Sequence, residues 1–529
     1  MGLAEIAPDS SVDKTIEHWV EPLYFSLGPR VRREDAGRND VSTLSNRIRD
    51  EDSVDRWHGE AEVVIVGLGS AGACAAIAAR EAGAEVLALD CESAGGGTSA
   101  VSAGQIYMGG GTPLQTACGF SDSPDEMFKY LMASSGPGAH EEKVRLYSDR
   151  SVEHYDWLTS RGVPFKQTYV PPSVAMNPPS DDGLTYTGSE LAHPYCDLAV
   201  PAPRGHNIQK DGDSGSVLME VLLAEVNRTG TQVQTNSRVE ALVTNGEDRV
   251  VGVVVDHDGE EEWIRASRGV IVATGGFASN REMLALHAPT FLDCLPVGPE
   301  TNDGSGIHLC AAAGGNPILM DATFVALPFA KPRHLIKGIM VDAKGRRYIN
   351  EDVYQAVHGN VAMREELGEV FLIVDQAIFA QPEFPTPIAA VADSPEALEQ
   401  MLGMPEGVLT ETLSTYNKFA ATGEDPLFHK AKEWIQPLVE APFTAFDFRL
   451  SAMPYPFFTL GGVHTNTLGE VLTPDGCPIP GLYAAGRTAS GLCAHGYSSG
   501  VSLADATFFG RLAGEAAAAG DRSSGGASA

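Results

Sequence analysis

The sequence predicts an α/β protein in which a Rossmann-like nucleotide-binding domain is built from both chain ends and an α+β capping domain is inserted between them. Near the start, Glu62-Val63-Val64-Ile65-Val66-Gly67-Leu68-Gly69-Ser70-Ala71-Gly72 reads as a buried strand running into a glycine-punctuated turn, followed by an Ala-rich helix over Ala73 to Ala82. Near the end, Ile479-Pro480-Gly481-Leu482-Tyr483-Ala484-Ala485-Gly486-Arg487 reads as a second strand stopping at a glycine. From residue 59 to 297, strand and helix patterns alternate, which implies a parallel sheet with helices on both faces.

The first segment has the spacing of a dinucleotide fingerprint. Gly67 allows the tight turn, Gly69 lets backbone approach a pyrophosphate, and Gly72 lets helix pack on strand. The helix that follows aims its N-terminal N–H groups at the phosphates. A second strand, Glu85 to Leu89, ends at Asp90, the distance at which an acid meets the adenosine ribose. Glycine-rich turns also occur in βαβ units that bind nothing. Strand, helix and acid together favour a nucleotide site.

At 529 residues the chain exceeds one core, and two domains of unequal size are expected. The net charge of -33 opposes docking on nucleic acid or anionic lipid and favours a protein kept apart by self-repulsion. Cysteines at 74, 91, 118, 196, 294, 310, 477 and 493 show no C-x-x-C and are expected to be buried thiols, with no metal site and no disulfide. Met1 to Ser11 lacks the apolar core of a signal peptide, and no apolar run is long enough to span a bilayer, so a cytoplasmic location is expected.

Residues 1–58, rich in mixed charge, are expected to form a loose N-terminal extension. Residues 59–297 and 448–520 are assigned to the nucleotide-binding domain. They contain helices near Pro124–Ser134, Glu141–Arg161 and Gly215–Thr229, and strands at Gln232–Gln234, Arg238–Thr244, Val250–Asp256 and from Ser267 to the paired glycines Gly275-Gly276. Pro171 to Pro203 has too many prolines for regular structure. The 298–447 segment reads as helices (Gly306–Ala313, Pro395–Leu402, Val408–Ala421) around one short strand, Val370–Val374. A final Ala-rich helix, Leu503 to Ala519, precedes a Ser/Gly/Ala tail, 521–529, expected to be disordered.

Taken jointly, the fingerprint, Ala94-Gly95-Gly96-Gly97-Thr98-Ser99, Val270 to Gly276, Thr459-Leu460-Gly461-Gly462-Val463 and Gly481 to Gly486 resemble the FAD-dependent fumarate reductase and 3-ketosteroid dehydrogenase flavoproteins over residues 60 to 515. The resemblance implies a Rossmann-like FAD-binding domain and a catalytic domain that roofs the flavin. By the same resemblance, fumarate reductases carry a histidine before T-x-G-G and arginines after R-x-x-N-E and in an H-G-x-N-R-L-G-G loop. Two carboxylates in a closed site need those cations. Here the positions read Phe457-Phe458, Gln355-Ala356 and His495-Gly496-Tyr497-Ser498-Ser499-Gly500, and the dicarboxylate clamp is missing.

The Glu351-Asp352-Val353-Tyr354 and Gly496-Tyr497-Ser498-Ser499-Gly500 segments are similar to those of the Δ4-(5α) branch of the ketosteroid enzymes. That resemblance implies Tyr354, Tyr497 and Ser499 as the catalytic group, with Tyr107, Phe324 and Phe458 lining the steroid. It implies non-covalent FAD held by Gly67, Gly69, Ser70, Ala71 and Gly72, with Asp90 and Cys91 at the adenosine end. Gly97, Thr98 and Ser99, Val239, Ala273, Thr274 and Gly275, Asp303, Gly486, and Ser502 with Leu503 complete the cofactor set. Each residue keeps a plainer reading. Tyr354 caps a domain interface, Tyr497 and Ser499 touch only the flavin, Tyr107 packs in the core, His206 and His495 are structural, and Arg487 is a surface or flavin-edge residue.

The implied reaction removes a proton α to a ketone and a hydride from the β carbon. A tyrosine, with a reference pKa of about 10, serves as base only through a relay or a lowered pKa. The division of base and relay among Tyr354, Tyr497 and Ser499 stays open. The expected partners are a small steroid and an electron acceptor. The competing activities are a Δ1-dehydrogenase, an enoate reductase and a non-catalytic flavin electron carrier.

Overall fold

The computed structural model describes residues 47–171, 182–210, 214–327 and 332–520. Most of the expected extension, part of the Pro-rich stretch and the expected disordered tail lie outside the described residues.

Strand β1 (Gly59–Val66) leads into helix α1 (Ser70–Glu81) and returns as β2 (Val86–Leu89), parallel to β1 with Val63 opposite Val86. Val63, Val64 and Ile65 are all fully buried, so the strand needs an unbroken apolar run rather than alternation. The helix starts earlier than the Ala73 expectation, because its glycine cap at Gly69 takes an extended backbone. After β3 (Gln105–Tyr107) come α2 (Pro124–Ser134) and α3 (Glu141–Ser160). Ser123 caps α2 by accepting the Glu126 N–H, with Pro124 at the first helical position. The Pro-rich stretch is not wholly irregular. It holds Leu184–Thr185, paired with β4 (Gly205–Asn207), and a one-turn helix at Tyr195–Leu198. The Leu184–Thr185 strand is joined through β4 to β3.

Helix α4 (Gly215–Arg228) precedes β5 (Gln232–Gln234), β6 (Ser237–Thr244), β7 (Val250–His257) and β8 (Glu260–Val272). β8 is longer than the Ser267 start expected, and it makes the sheet mixed rather than purely parallel. Its first half pairs antiparallel with β7, and from Ile264 onward it runs parallel to β1, with a register shift between Ala266 and Gly269. The strand Ile48–Asp50 adds to the edge along β6, so this part of the expected loose extension belongs to the sheet.

The inserted section departs from expectation most. After β9 (Thr323–Val325), four strands, β10 (Ile339–Asp342), β11 (Val370–Val374), β12 (Ile388–Ala392) and β13 (Phe443–Asp447), form an antiparallel sheet in the order β10-β11-β13-β12. Helix α5 (Gln355–Arg364) lies between β10 and β11 in the chain. Every residue of β11 is buried, and a strand with both edges inside needs a hydrogen-bonding neighbour on each side.

The chain then returns through β14 (Pro456–Thr459), antiparallel to β9, and β15 (Pro478–Ala484), parallel to β8 with Val272 opposite Ala484. The last element is α6 (Val501–Ala519). It crosses α1 at backbone contact: a Cβ on Gly510 would lie 2.3 Å from the Ala71 carbonyl oxygen, and one on Gly514 2.2 Å from that of Ala75. Small residues on both helices are what let the two ends of the chain close on each other. No helix among the described residues is long and apolar enough to cross a membrane, and none of their His, Cys, Asp and Glu side chains cluster in threes fit for a metal. All eight cysteines are free thiols. The expectation that they are buried fails at Cys91 and Cys477, which are exposed, and holds only partly at Cys118 and Cys196. Cys91 follows the last residues of β2 as the chain leaves the sheet, and Cys477 sits in the turn closed by Thr473.

Candidate active site

The glycines of the first turn have separable roles. Gly67 has φ +93°, and a Cβ there would lie 2.7 Å from the Ala273 carbonyl. A Cβ on Gly72 would lie 1.9 Å from the Gly67 carbonyl. Those two glycines serve the chain itself. Gly69 has ordinary extended backbone, and its Cβ would meet nothing closer than Ser99 Oγ at 3.7 Å. Its missing side chain leaves room for a ligand. Gly69→Leu is therefore expected to give a folded, colourless protein, checked by unchanged far-ultraviolet circular dichroism together with absorbance at the flavin band. Retained flavin would overturn the assignment.

Around that space stand residues from distant segments. The Ser70 N–H donates to Ser99 Oγ at 3.2 Å, and Ser99 Oγ donates to Ser70 Oγ at 2.9 Å, laying Gly97-Thr98-Ser99 over the start of α1. Asp90 accepts the Leu68 N–H at 2.7 Å and the Glu92 N–H at 2.9 Å. Burial pushes its carboxyl above the ordinary range. Val239 sits at a register shift in β6, and exposed Cys91 lies at the mouth. Ala273 continues β8 by donating to the Val66 carbonyl at 2.7 Å. The Gly275 N–H donates to Thr488 Oγ1 at 3.1 Å, with Thr274 Oγ1 beside the same hydroxyl. A Cβ on Gly486 would lie 3.0 Å from Ala71 Cβ, which brings the end of β15 against the fingerprint helix. Asp303 pairs with Arg238 at 2.9 Å and accepts the Ser305 N–H, while its neighbour Asn302 donates to Thr98 Oγ1 at 2.7 Å. A cleft follows, lined by Leu460, Gly486, Arg487, Cys493, Val501, Ser502 and Asp505, with Leu503 in the first turn of α6 behind it.

Next to this cleft the three expected catalytic side chains converge. Tyr497 stands edge-on to Phe324 and Phe458, with ring centroids 4.8 and 5.5 Å away, and those two phenylalanines stack at 4.5 Å. The Tyr497 hydroxyl accepts the Ser502 N–H at 3.4 Å, at the positive end of α6. Tyr354 is the residue that opens α5. Its N–H donates to Ser189 Oγ at 2.9 Å, and its hydroxyl lies near enough to the Ser499 side chain to feel it electrostatically. The Ser499 N–H donates to the Thr187 carbonyl at 3.2 Å, and Thr187 Oγ1 donates back to the Ser499 carbonyl at 3.1 Å. Burial raises both phenols, and for Tyr354 the neighbouring Ser499 and Gln355 side chains oppose the rise.

Beneath this group lies a polar layer that motif reading does not reach. Tyr107 is wholly buried, stacked on Tyr130 at 5.9 Å, and donates to Glu190 at 3.2 Å. It lies under the Tyr497–Gly500 loop, its N–H donating to the Gly500 carbonyl at 3.1 Å. Tyr130 shares a hydrogen bond with Ser498 at 2.8 Å and accepts the Ser189 N–H at 2.8 Å. A Cβ on Gly188 would lie 2.0 Å from the Tyr130 hydroxyl, so that glycine is what lets the layer close. Glu351 is locked by Arg347 at 2.6 Å and Lys430 at 2.8 Å, and it accepts the Met340 N–H. His206 bonds Thr112 Oγ1 and the Arg204 carbonyl, and His495 bonds the Pro137 carbonyl and Asp321, which are structural placements. Arg487 is neither a surface residue nor idle. Its guanidinium lies 5.0 Å over the Phe458 ring and donates to Thr98 Oγ1 at 2.9 Å.

A two-ended nucleotide cradle opening onto buried phenols defines a flavin-dependent oxidoreductase. The FAD binding domain family matches residues 62–503, and the chain belongs to it, with FAD as its cofactor. It is similar to the 3-ketosteroid-Δ4-(5α)-dehydrogenase of Rhodococcus jostii RHA1, solved in complex with 4-androstene-3,17-dione. That likeness has 44% identity and a TM-score of 0.85, covering 89% of this chain and 99% of that one. The 3-oxo-5-alpha-steroid 4-dehydrogenase of Comamonas testosteroni is 29% identical, over 84% of this chain and 97% of the relative. A cytochrome-type fumarate reductase of Shewanella frigidimarina is 26% identical, over 87% of this chain and 77% of the relative.

Proposed function

We propose that the protein is a dehydrogenase of 5α-3-ketosteroids that introduces the C4–C5 double bond. The observation that carries the reading is the convergence of Tyr354, Tyr497 and Ser499 with Phe324 and Phe458 beside the flavin cleft. The names of the Rhodococcus and Comamonas relatives support it. The aromatic faces suit a flat apolar ring system, and a ketone needs hydroxyl donors rather than a pair of cations.

Tyr354, Tyr497 and Ser499 share the task of taking the C4 proton. Bound FAD supplies, at N5, the acceptor for the hydride that leaves C5. Because burial keeps both phenols protonated at rest, the arriving proton must be passed on as it is received. The approach of the Tyr354 hydroxyl to the Ser499 side chain supplies one step of that path, and the Ser502 N–H at the start of α6 favours transient negative charge on Tyr497. The segment 298–447 serves as the domain that roofs the ring. FAD is held non-covalently. Cys493, which lines the cleft, is pushed far above the ordinary thiol range by burial and so is a poor nucleophile. A separate electron acceptor would be needed to complete the turnover.

Anaerobic mixing with a saturated 5α-3-ketosteroid is expected to bleach the flavin and yield an enone two hydrogens lighter, with a conjugated ultraviolet band. Formation of a 1-ene-3-one instead would move the protein to the Δ1 activity. No response to any ketosteroid would sink the substrate assignment. Fumarate reduction is expected to be absent, because Phe457, Gln355 and Ser499 stand where a desolvated dicarboxylate needs cations.

A further inference from the structure

Arg487 presents an unusual imbalance. It extends from the end of β15 into the cleft, half-buried as a residue but with its Nη1 fully enclosed. Burial draws the guanidinium down to about 10, and the nearby Tyr497 hydroxyl only partly opposes this. Its bonded partner is the neutral Thr98 hydroxyl, and its Nη1 is buried without a hydrogen-bond partner. No carboxylate among the described residues forms an ion pair with it. Asp505, which shares the cleft, is matched instead by the buried Lys143 ammonium, whose Nζ donates to Thr465 Oγ1 and the Ser490 carbonyl. A desolvated cation with no anion is costly, so the missing counter-charge belongs to something the cleft receives.

Resting on the assignment of this cleft to the flavin ring, we infer that Arg487 is the counter-cation for the negative charge that reduction places on that ring. The Thr98 hydroxyl that Arg487 bonds borders the diphosphate cradle, but the guanidinium itself is stacked on the aromatic wall, which favours the ring as its partner. The diphosphate cradle is the Gly67–Gly72 turn and the start of α1, whereas Arg487 lies over Phe458, which in turn packs edge-on against Tyr497. The start of α6, whose Ser502 also lines the cleft, adds its positive end to the same region. Arg487 thus acts as a positioning and tuning residue that favours reduction of the flavin.

The test is the midpoint potential of FAD-loaded protein, measured against reference dyes and independent of any steroid. In the wild type, at pH values below the ionisation of free reduced flavin, the potential is expected to fall by about 30 mV per pH unit, the slope of two electrons with one proton. A slope of about 59 mV, which marks a neutral reduced ring, would overturn the inference. Arg487→Gln is expected to keep its FAD but to lower the equilibrium constant for reduction at least tenfold, about 30 mV for a two-electron couple. Arg487→Lys, which keeps the charge, should recover most of that change. Potentials of Arg487→Gln and wild type that agree within that margin overturn the inference. So does loss of FAD from Arg487→Gln with an unchanged potential in the fraction still loaded, which would assign Arg487 to the diphosphate or ribityl chain. If Arg487→Gln yields no holoprotein, Arg487→Lys decides: the wild-type slope must persist in it, and the neutral-ring slope overturns the inference. Failure of the steroid assignment would leave all of these potentials readable.

Discussion

Tyr497→Phe is expected to lose about 10²–10⁴ in turnover of a 5α-3-ketosteroid while keeping its flavin, because positioned acid–base help is worth about that much. The substitution removes one hydroxyl and leaves the ring between Phe324 and Phe458, so the aromatic wall is preserved. The lost group is the one placed at the start of α6, against the Ser502 N–H. Steady-state rates and the flavin absorbance per chain check both halves of the expectation. A Tyr497→Phe enzyme with undiminished turnover would transfer the proton-accepting role to Tyr354, and the same substitution at Tyr354 would then carry the loss.

Glu351→Gln is expected to destabilise the protein by about 3–5 kcal/mol, the usual consequence of removing one partner from a buried ion pair. Glu351 is fully buried, and its two oxygens serve Arg347, Lys430 and the Met340 N–H. Burial alone would raise its carboxyl, but the two cations reverse this and hold it down at about 2. Lys430 is driven down to about 8 by burial and also donates to the carbonyls of Ile336 and Gly338. Glutamine keeps the shape but removes the carboxylate that Lys430 pairs with and leaves Arg347 with Asp425 alone. Since the folded carboxyl titrates below its unfolded value of 4.5, the stabilisation is fully present above that pH and is lost as pH falls toward 2. Chemical denaturation of the holoprotein should therefore show wild type losing stability across that window and the glutamine variant changing less. Equal stability of the two at neutral pH would refute the role. Because Tyr354 follows Glu351 by three residues, the variant is also expected to lose activity before it unfolds.

The nucleotide cradle was legible because its chemistry is local. Gly67, Gly69 and Gly72 act at fixed spacing along one turn, and Asp90 closes the same βαβ unit. The aromatic wall and the Tyr354–Ser499 contact were legible only through resemblance, since nothing in the sequence says that Phe324, Tyr354 and Tyr497 meet. The inserted sheet was hidden for a physical reason. Ile339–Asp342, Ile388–Ala392 and Phe443–Asp447 are short, widely separated and without regular alternation, and only pairing with β11 makes them strands. Glu190 and Tyr130 escaped for a related reason: their partners lie far along the chain and carry no motif. Arg487 stood next to a recognised glycine, but its burial and lack of a counter-ion are properties of the folded surroundings, which spacing does not reveal.

The Gly510 and Gly514 contacts with Ala71 and Ala75 set an order on biosynthesis. The fingerprint helix leaves the ribosome early, yet the helix that covers it is made hundreds of residues later. Throughout elongation, the Ala71–Ala75 face of the nascent chain stands uncovered, a natural target for chaperones that hold exposed apolar surface. The half-built cradle is thereby closed only after α6 has been made and docks on α1.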